Sequence, residues 1–186
     1  MIRMVVGLGN PPRKYQDTRH NLGYKVLDLL LENFKLKLKA GRGDYHFAAT
    51  EIDNRDIYLV KPDTYMNDSG LAVLQAVEKF GLNPEELLVV CDDFNLPLGK
   101  TRIRERGSEG GHKGLRSIIY HLNSQEFPRV RLGIGLPPSG VPAEEYVLEK
   151  FSSEEKKIVN EMLDKACQVV TTALSLGIKE SMQKFN

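Results

Sequence analysis

The chain has 186 residues, 41% hydrophobic and 27% charged, which is typical of one globular domain spanning residues 1–186. No apolar run approaches the roughly 18 residues of a membrane span, and Met1 leads into an apolar strand without a signal-peptide pattern, so we expect a cytoplasmic protein with no membrane contact. Two cysteines exclude a disulfide framework, whereas a net charge of +1 excludes no partner, because nucleic-acid binding needs only a local basic patch.

The first half of the chain predicts strands and helices in alternation. A continuous apolar run followed by glycines and prolines predicts a strand buried on both faces, and apolar residues at helical spacing predict a helix after it. Two strands joined by Asp53-Asn54 predict a hairpin, and a helix that ends at Gly81 follows, with residues 67–69 available as N-caps. The predicted bounds are 2–8 (strand), 22–34 (helix), 45–52 and 57–60 (strands) and 71–80 (helix).

The second half continues the alternation. A buried strand is predicted at 87–91, an alternating strand at 100–106, a loop at 107–111, a helix at 113–122 and a strand at 130–134. Ser152 and Glu155 form a capping box before a long helix that ends near residue 176. Strands alternating with helices favour a three-layer α/β/α domain, and the hairpin makes its twisted sheet mixed rather than purely parallel.

The charge is unevenly distributed along the chain. Residues 100–131 hold eight basic and three acidic residues, a local charge of +5, and residues 144–164 carry −4. On a strand, residues two apart face the same side about 6.5–7 Å from each other, a spacing comparable to that of successive phosphates. The basic side chains at alternate positions therefore form either a phosphate-binding face or a solvated strand face; they are Lys100, Arg102, Arg104 and Arg106.

Several common catalytic motifs are absent. The glycines at 7 and 9 follow a strand, but Pro12 takes the third glycine position of a dinucleotide-binding turn. The sequence has no P-loop and no Gly-x-Ser-x-Gly elbow, and its four histidines show no metal-ligand spacing.

Polar residues remain at the predicted strand ends and helix starts. Asn10 follows the first strand, and Asp92 and Asp93 follow the strand at 87–91, so Asn10 and Asp92 are expected beyond the carboxyl ends of the strands, where ligands bind. A histidine beside a carboxylate can activate water, and an asparagine amide can stabilise an oxyanion. His20 is a candidate base on this ground, although a histidine or aspartate at such a position more often caps a helix or lies at the surface.

Taken together, these segments resemble the bacterial-type peptidyl-tRNA hydrolase family. The matching pieces follow family order over about the first 140 residues: Gly7-Leu-Gly-Asn-Pro11, Tyr15, Thr18-Arg-His-Asn-x-Gly23, Pro62-x-Thr-Tyr-Met-Asn67 with Ser69-Gly70, Asp92-Asp93 with Leu96-Pro97, Gly107-Ser-x-Gly-Gly-His112 with Gly114-Leu115, and Arg131-Leu-Gly-Ile-Gly135. Six motifs in order make the resemblance specific.

The resemblance implies a monomeric esterase that needs no metal or other cofactor and cleaves the ester bond of peptidyl-tRNA. His20 matches the catalytic base, Asp92 the carboxylate that orients it, and Asn10 a residue that positions substrate and water. Arg104 and Arg131 match a pair that grips the 5′-terminal phosphate of tRNA. The substrate-binding residues implied by the matching motifs are Tyr15, Asn21, Met66, Asn67, Gly110 and Lys113.

The chain departs from the family pattern at four positions, where Pro12, Asp68, Asn95 and Lys113 replace a frequent glycine, apolar residue, aspartate and asparagine. The charge of Lys113 would either disfavour the protonated form of His20 or bind the backbone at the tRNA 3′ end.

Two other functions fit parts of this pattern. The first is an RNA-binding protein without catalysis, as in chloroplast relatives that act in intron splicing. The second is a nucleoside- or nucleotide-binding enzyme on a similar sheet, since fold does not determine function.

Overall fold

Seven strands form one mixed sheet in the computed structural model, which describes residues 1–186. Their order across the sheet is β2-β3-β4-β1-β5-β7-β6. β1 pairs in parallel with β4 and β5, and β5 with β7, while the remaining pairs are antiparallel. The predicted mixed sheet is confirmed. The strands are β1 (Met4–Gly7), β2 (Lys39–Ala40), β3 (Tyr45–Ile52), β4 (Arg55–Pro62), β5 (Leu87–Asp93), β6 (Thr101–Arg104) and β7 (Arg129–Gly133).

Helices cover both faces of this sheet, which confirms the three-layer prediction. α1 and α5 contribute to a core of 27 buried residues on one face, and α2 and α3 to a core of 17 on the other. No helix combines the length and apolar character needed to cross a bilayer. The helices are α1 (Leu22–Asn33), α2 (Ser69–Phe80), α3 (Lys113–Leu122), α4 (Ala143–Tyr146), α5 (Lys156–Leu176) and α6 (Ile178–Phe185).

The central strand β5 shows why both cores exist. Side chains alternate between the faces of a strand, so Leu88 and Val90 enter the larger core while Leu87, Val89 and Cys91 enter the smaller one. All seven β5 residues are buried. Burial also raises the pKa of the Cys91 thiol, in keeping with a small apolar core residue.

Local signals set several element boundaries as predicted. Asp53 and Asn54 have φ values of 51° and 58°, the left-handed pair that a two-residue hairpin turn requires. Gly81 ends α2 in the left-handed conformation. The reciprocal bonds of the capping box form, with Ser152 N–H donating to Glu155 over 2.8 Å and Glu155 N–H to Ser152 Oγ over 3.3 Å, but they close the turn before α5, which begins at Lys156 with Glu155 as its N-cap.

Other boundaries differ from the prediction. β1 and β6 are shorter than predicted, so Lys100 and Arg106 lie outside β6. Asp68 stands at the N-cap of α2 without a side-chain cap bond, because a 3₁₀ turn already precedes the helix. The sequence patterns missed β2, α4 and α6, which are short.

The first helix lies unusually close to the sheet. A Cβ atom at Gly23 would collide with Leu8 N and with the carbonyl oxygens of Leu8 and Val90. The start of α1 therefore packs backbone to backbone against the ends of β1 and β5, which brings the residues before α1 to that edge of the sheet.

Candidate active site

Two polar residues meet at the carboxyl edge of the sheet. β1 and β5 are adjacent and parallel, with Gly7 opposite Val90. Asn10 therefore emerges beside Asp92, which is the sixth residue of β5, and both are buried. Because neighbouring parallel strands end at the same edge, this placement matches the crevice expected from the sequence.

His20 reaches this edge from the residues just before α1. It lies in the 3₁₀ turn Arg19–Asn21, and its backbone N–H donates to the carbonyl of Val147 over 2.8 Å. Its side chain is 9% exposed. The close approach at Gly23 and the bond to Val147 fix the main chain on both sides, so the imidazole has a defined position.

Arg19 anchors the same turn from the opposite side. Its guanidinium donates twice to Glu155, over 3.0 and 2.9 Å, and lies over the rings of Tyr146 and Phe151 at 4.5 and 4.6 Å. A planar guanidinium suits both a bidentate carboxylate and aromatic faces. The turn that carries His20 is thus tied to the start of the long helix α5.

The centre of the site is one carboxylate oxygen shared by two imidazoles. His20 Nδ1 lies 2.8 Å from Asp92 Oδ1, and His112 Nε2 lies 3.0 Å from the same atom. An ionised carboxylate only accepts hydrogen bonds, so both ring nitrogens must donate. In the neutral form of His20 the proton is therefore on Nδ1 and Nε2 carries none; Nε2 has no hydrogen-bond partner in the protein and is not enclosed, so it is open to the cavity.

The two imidazoles keep this buried carboxylate charged. Burial alone would raise the pKa of Asp92, but the charge that His20 and His112 carry when protonated, together with their N–H bonds, outweighs it and holds the pKa far below its usual range. For His112 the balance is reversed, since burial lowers its pKa despite Asp92. At neutral pH the site therefore contains an ionised aspartate beside a neutral His112.

The same three residues are a possible metal-binding group. His20, Asp92 and His112 offer ligand atoms within 4.8 Å of one another. The sequence spacing of the histidines did not predict this cluster. In the observed hydrogen-bond arrangement, both nitrogens carry the protons that bind Asp92, so a metal ion would have to displace both protons to use them.

Asn10 links the site to the segment after β4. Its side-chain oxygen accepts from the Met66 backbone N–H over 2.8 Å, while Asn21 binds the Asn10 backbone through both amide atoms, over 2.8 and 3.0 Å. The Asn10 Nδ2 group has no hydrogen-bond partner in the protein and is not enclosed by it, so it is available to a ligand. Asn21, expected at the substrate, instead holds Asn10 in place.

These residues border a cavity of about 250 Å³. Tyr15, Met66 and Asn67 line it beside the polar centre, and the Nδ2 group of the exposed Asn67 donates to Asp68 over 3.0 Å. Of the predicted catalytic and substrate-binding residues, only Asn21 does not line the cavity. Its remaining wall is formed by residues of α4 and of the loops after β5 and before α3: Phe94, Gly111, Ala143, Val147 and Leu148.

A second, more open groove of about 840 Å³ lies beyond Asn10 and Asn21. Its lysines already have acidic partners, Lys25 with Asp17 at 3.0 Å and Lys61 with Asp28 at 2.7 Å. It contains no histidine–carboxylate pair, so we place the reaction centre in the smaller cavity.

The start of α3 forms the rim of the smaller cavity. Gly110 has a φ of 57°, a left-handed conformation that favours glycine, and a Cβ atom there would have to displace the Arg131 guanidinium. Lys113, at the first position of α3, lies with its Nζ 2.8 Å from Glu144 Oε1 of α4. The lysine that was expected to face either His20 or the tRNA is therefore paired across the rim.

The basic segment is smaller than the alternating sequence indicated. Arg102 and Arg104 are exposed on β6, but Arg129 on the facing strand is buried and donates to the carbonyls of Ser108 and Gln125, each over 3.1 Å. Arg131 is mostly buried, with Nε 3.1 Å from Asp93 Oδ2 at an angle that does not suit a hydrogen bond. Arg104 is thus the more accessible member of the predicted phosphate-binding pair.

Sequence reasoning missed two contributors to the site. His112 lies within one of the matching sequence motifs, but that motif gives it no role. Its position after two glycines and directly before α3 indicates an N-cap residue, and the start of α3 lies at the same edge of the sheet. No sequence signal links Arg19 to Glu155, which lie 136 positions apart.

Comparison with known proteins finds consistent similarity over the whole chain. A family model described as peptidyl-tRNA hydrolase matches residues 4–186. Peptidyl-tRNA hydrolase of Aquifex aeolicus is 41% identical, covering 100% of this chain and 96% of the relative. That of Hydrogenobaculum sp. is 45% identical, with coverages of 100% and 98%. The crystal structure of peptidyl-tRNA hydrolase from Acinetobacter baumannii matches with a TM-score of 0.93 at 32% identity, covering 100% of this chain and 94% of that chain.

Proposed function

Since this chain belongs to the peptidyl-tRNA hydrolase family and hydrolyses the ester bond of peptidyl-tRNA, we propose that His20 is the general base of that reaction. The observation that carries the proposal is the His20–Asp92 pair at 2.8 Å, with Nε2 free of protein partners and open to the cavity. A base in this position can take a proton from water, while the carboxylate fixes the tautomer and stabilises the imidazolium that forms.

One residue, His20, can carry out both proton transfers of the reaction. His20 Nε2 removes a proton from water, and the oxygen attacks the ester carbonyl to form a tetrahedral oxyanion. When the bond to the ribose oxygen of the 3′ adenosine breaks, the imidazolium returns its proton to that oxygen. The products are tRNA with a free hydroxyl and the carboxylic acid of the peptide, which then releases its proton to solvent.

The asparagines supply neutral hydrogen-bond donors around the reacting carbonyl. Asn10 Nδ2 is available because its side-chain oxygen is occupied by the Met66 N–H. Asn67 lies on the same wall, where its amide can contact the ester or the attacking water after leaving Asp68. Donors placed where negative charge develops lower the barrier more than they stabilise the substrate.

We expect the peptide and the tRNA acceptor stem of the substrate to contact different surfaces of the protein. The peptide contacts Met66, Tyr15 and the apolar wall formed by Val147 and Phe94. The acceptor stem of tRNA lies along β6, where Arg104 has no acidic partner and its guanidinium bonds only the carbonyl of Ile103. Arg131 assists there after release from Asp93.

The proposal is tested by cleavage of N-blocked aminoacyl-tRNA in EDTA, comparing the native chain with His20→Ala. We expect turnover to survive EDTA and to fall by about 10²–10⁴-fold in the variant, the usual contribution of a general base. His46→Ala is the matched control, since His46 also lies against an aspartate, 2.6 Å from Asp63, but at the exposed surface.

A loss below tenfold in His20→Ala would assign the base elsewhere. If turnover is lost in EDTA and recovers on adding Zn²⁺, the general-base role of His20 is wrong. A metal ion held by His20, Asp92 and His112 would then be needed for the reaction. Tight tRNA binding without turnover in the native chain would favour an RNA-binding role.

A further inference from the structure

His112 uses both ring nitrogens inside the protein. Nε2 lies 3.0 Å from Asp92 Oδ1, and Nδ1 accepts the Leu115 backbone N–H over 3.2 Å. An imidazole nitrogen that accepts a bond from an amide carries no proton, so Nε2 must be the donor. The N-cap bond of α3 therefore fixes the tautomer of His112, in which the proton is on Nε2 and binds Asp92.

The His112 imidazole lies beside the His20 imidazole, but it is not free to act as a base. The ring centroids are 4.9 Å apart and tilted by 51°, and His112 is 6% exposed. Burial lowers the pKa of His112, with Asp92 opposing this effect. At neutral pH His112 is thus a neutral donor with no free nitrogen, which prevents it from acting as the base itself.

We propose that His112 is a positioning residue that acts on His20 through Asp92, and that it sets the pH at which the base becomes active. This inference rests on the proposed role of His20. His112 donates to the same Asp92 oxygen as His20. This oxygen therefore stabilises the imidazolium form of His20 less strongly than it would if His20 were its only donor. The bond between His20 and Asp92 is therefore weaker than it would be in a simple histidine–aspartate pair.

The physical basis is competition for one acceptor atom. Hydrogen bonds to charged groups contribute roughly 1.5–3 kcal/mol, and two donors on one oxygen each weaken the other. If one donor is removed, the remaining N–H of His20 binds the carboxylate more strongly. Protonated His20 gains most from this change because its charge interacts directly with Asp92.

The other charged groups near this centre are already paired. Asp93 lies against Arg131, Arg19 against Glu155, and Lys113 against Glu144. Arg131 also opposes protonation of His112. These ion pairs do not contact His20 or Asp92 Oδ1 directly, so His112 is the group that competes with His20 at that atom.

Two substitutions separate the two functions of His112. His112→Asn keeps an oxygen near the position of Nδ1, where it can accept the Leu115 N–H, but it is too short to reach Asp92. His112→Gln places an N–H donor near the position of Nε2 but loses the cap acceptor. Asparagine is also among the preferred N-cap residues, so His112→Asn should preserve α3.

The experiment measures kcat/KM for N-blocked aminoacyl-tRNA against pH, together with Tm and NMR titration of the His20 ring. For His112→Asn we expect the acid limb of the profile and the His20 titration to move upward by about one pH unit, with Tm near that of the native chain. For His112→Gln we expect an acid limb close to native and a lower Tm, because one helix cap is lost.

His20→Ala is measured in parallel to distinguish the two possible failures. If His20→Ala is inactive but His112→Asn leaves both the acid limb and the NMR titration unchanged, the inference about His112 is wrong and the base assignment stands. If His20→Ala retains turnover, the proposed base is wrong, and the NMR titration alone reports on the interaction through Asp92. Equal losses of Tm in both His112 variants, without a pH shift, would assign His112 a structural role only.

Discussion

Asp92 is a buried charge stabilised by hydrogen-bond donors rather than by a lysine or arginine. A carboxylate buried without partners would bind a proton to avoid the cost of desolvation. At this site two imidazole N–H groups share its Oδ1 atom, and its pKa stays far below the usual range. The carboxylate is therefore ready to stabilise a positive charge on His20 without first losing a proton.

Asp68, one of the four departures from the family pattern, binds Asn67. Asp68 accepts the Asn67 amide over 3.0 Å, which holds that amide away from a ligand. We expect Asp68→Ala to lower KM for N-blocked aminoacyl-tRNA by about two- to fivefold, because an exposed hydrogen bond is lost and the amide is freed. Steady-state kinetics at fixed ionic strength measures the change.

Asp68→Asn is the matched control, since it removes the charge but keeps an acceptor for Asn67. If both variants lower KM equally, repulsion of the RNA by the carboxylate explains the effect and the bond to Asn67 does not.

At the scale of elements, the short helix α4 forms one wall of the cavity and contacts the residues on either side of it. The chain just after α4 accepts the backbone N–H groups of Arg19 and His20 through Glu149 and Val147. Glu144 within α4 reaches across the rim to Lys113 of α3. Helix α4 and the residues just after it thus both hold the turn of His20 and bridge the entrance to the cavity.

The ion pair at the rim predicts a salt-dependent effect on binding. Glu144→Gln should lower KM by about two- to fivefold at low salt, because Lys113 is released to bind a phosphate of the tRNA 3′ end. The gain should disappear at high salt, where such exposed interactions are screened. KM measured at two salt concentrations checks both statements.

Glu145→Gln is the control for the rim, because it removes the same charge from the next residue, which has no ion-pair partner. Equal effects of the two substitutions would attribute the gain to net charge alone. Lys113→Asn should cancel the effect of Glu144→Gln when the two are combined.

At the scale of the whole molecule, opposite edges of the sheet differ in their role. β6 forms one edge, with Arg102 and Arg104 exposed, and β2 forms the other. Long-range attraction guides a polyanion to a local basic patch even when the net charge is only +1. We therefore expect the tRNA to approach from the β6 edge.

Arg104→Ala should weaken tRNA binding and reduce the slope of log affinity against log salt by about one, as expected for the loss of one phosphate contact. Binding measured over a range of salt concentrations gives this slope. Lys39→Ala removes one charge from β2 at the far edge and should leave the slope as it is. An unchanged slope in Arg104→Ala would remove that residue from the tRNA contact surface.

The amino-acid sequence by itself determined the features that depend on neighbouring residues. The hairpin turn at Asp53-Asn54, the end of α2 at Gly81, the bounds of α3 and the capping box of Ser152 and Glu155 all appear as predicted. Each depends on backbone conformations and hydrogen bonds within a few residues, so the local pattern is sufficient. Motif order was likewise sufficient for the family.

Only the tertiary structure decided which side chains share an atom. His20 lies 72 positions and His112 20 positions from Asp92, and the sheet order places all three at one edge. The alternation around Arg104 showed which residues face one side of a strand, but not where β6 ends. Contacts between distant segments depend on how strands are ordered and helices packed, and hydrophobic periodicity does not specify that order.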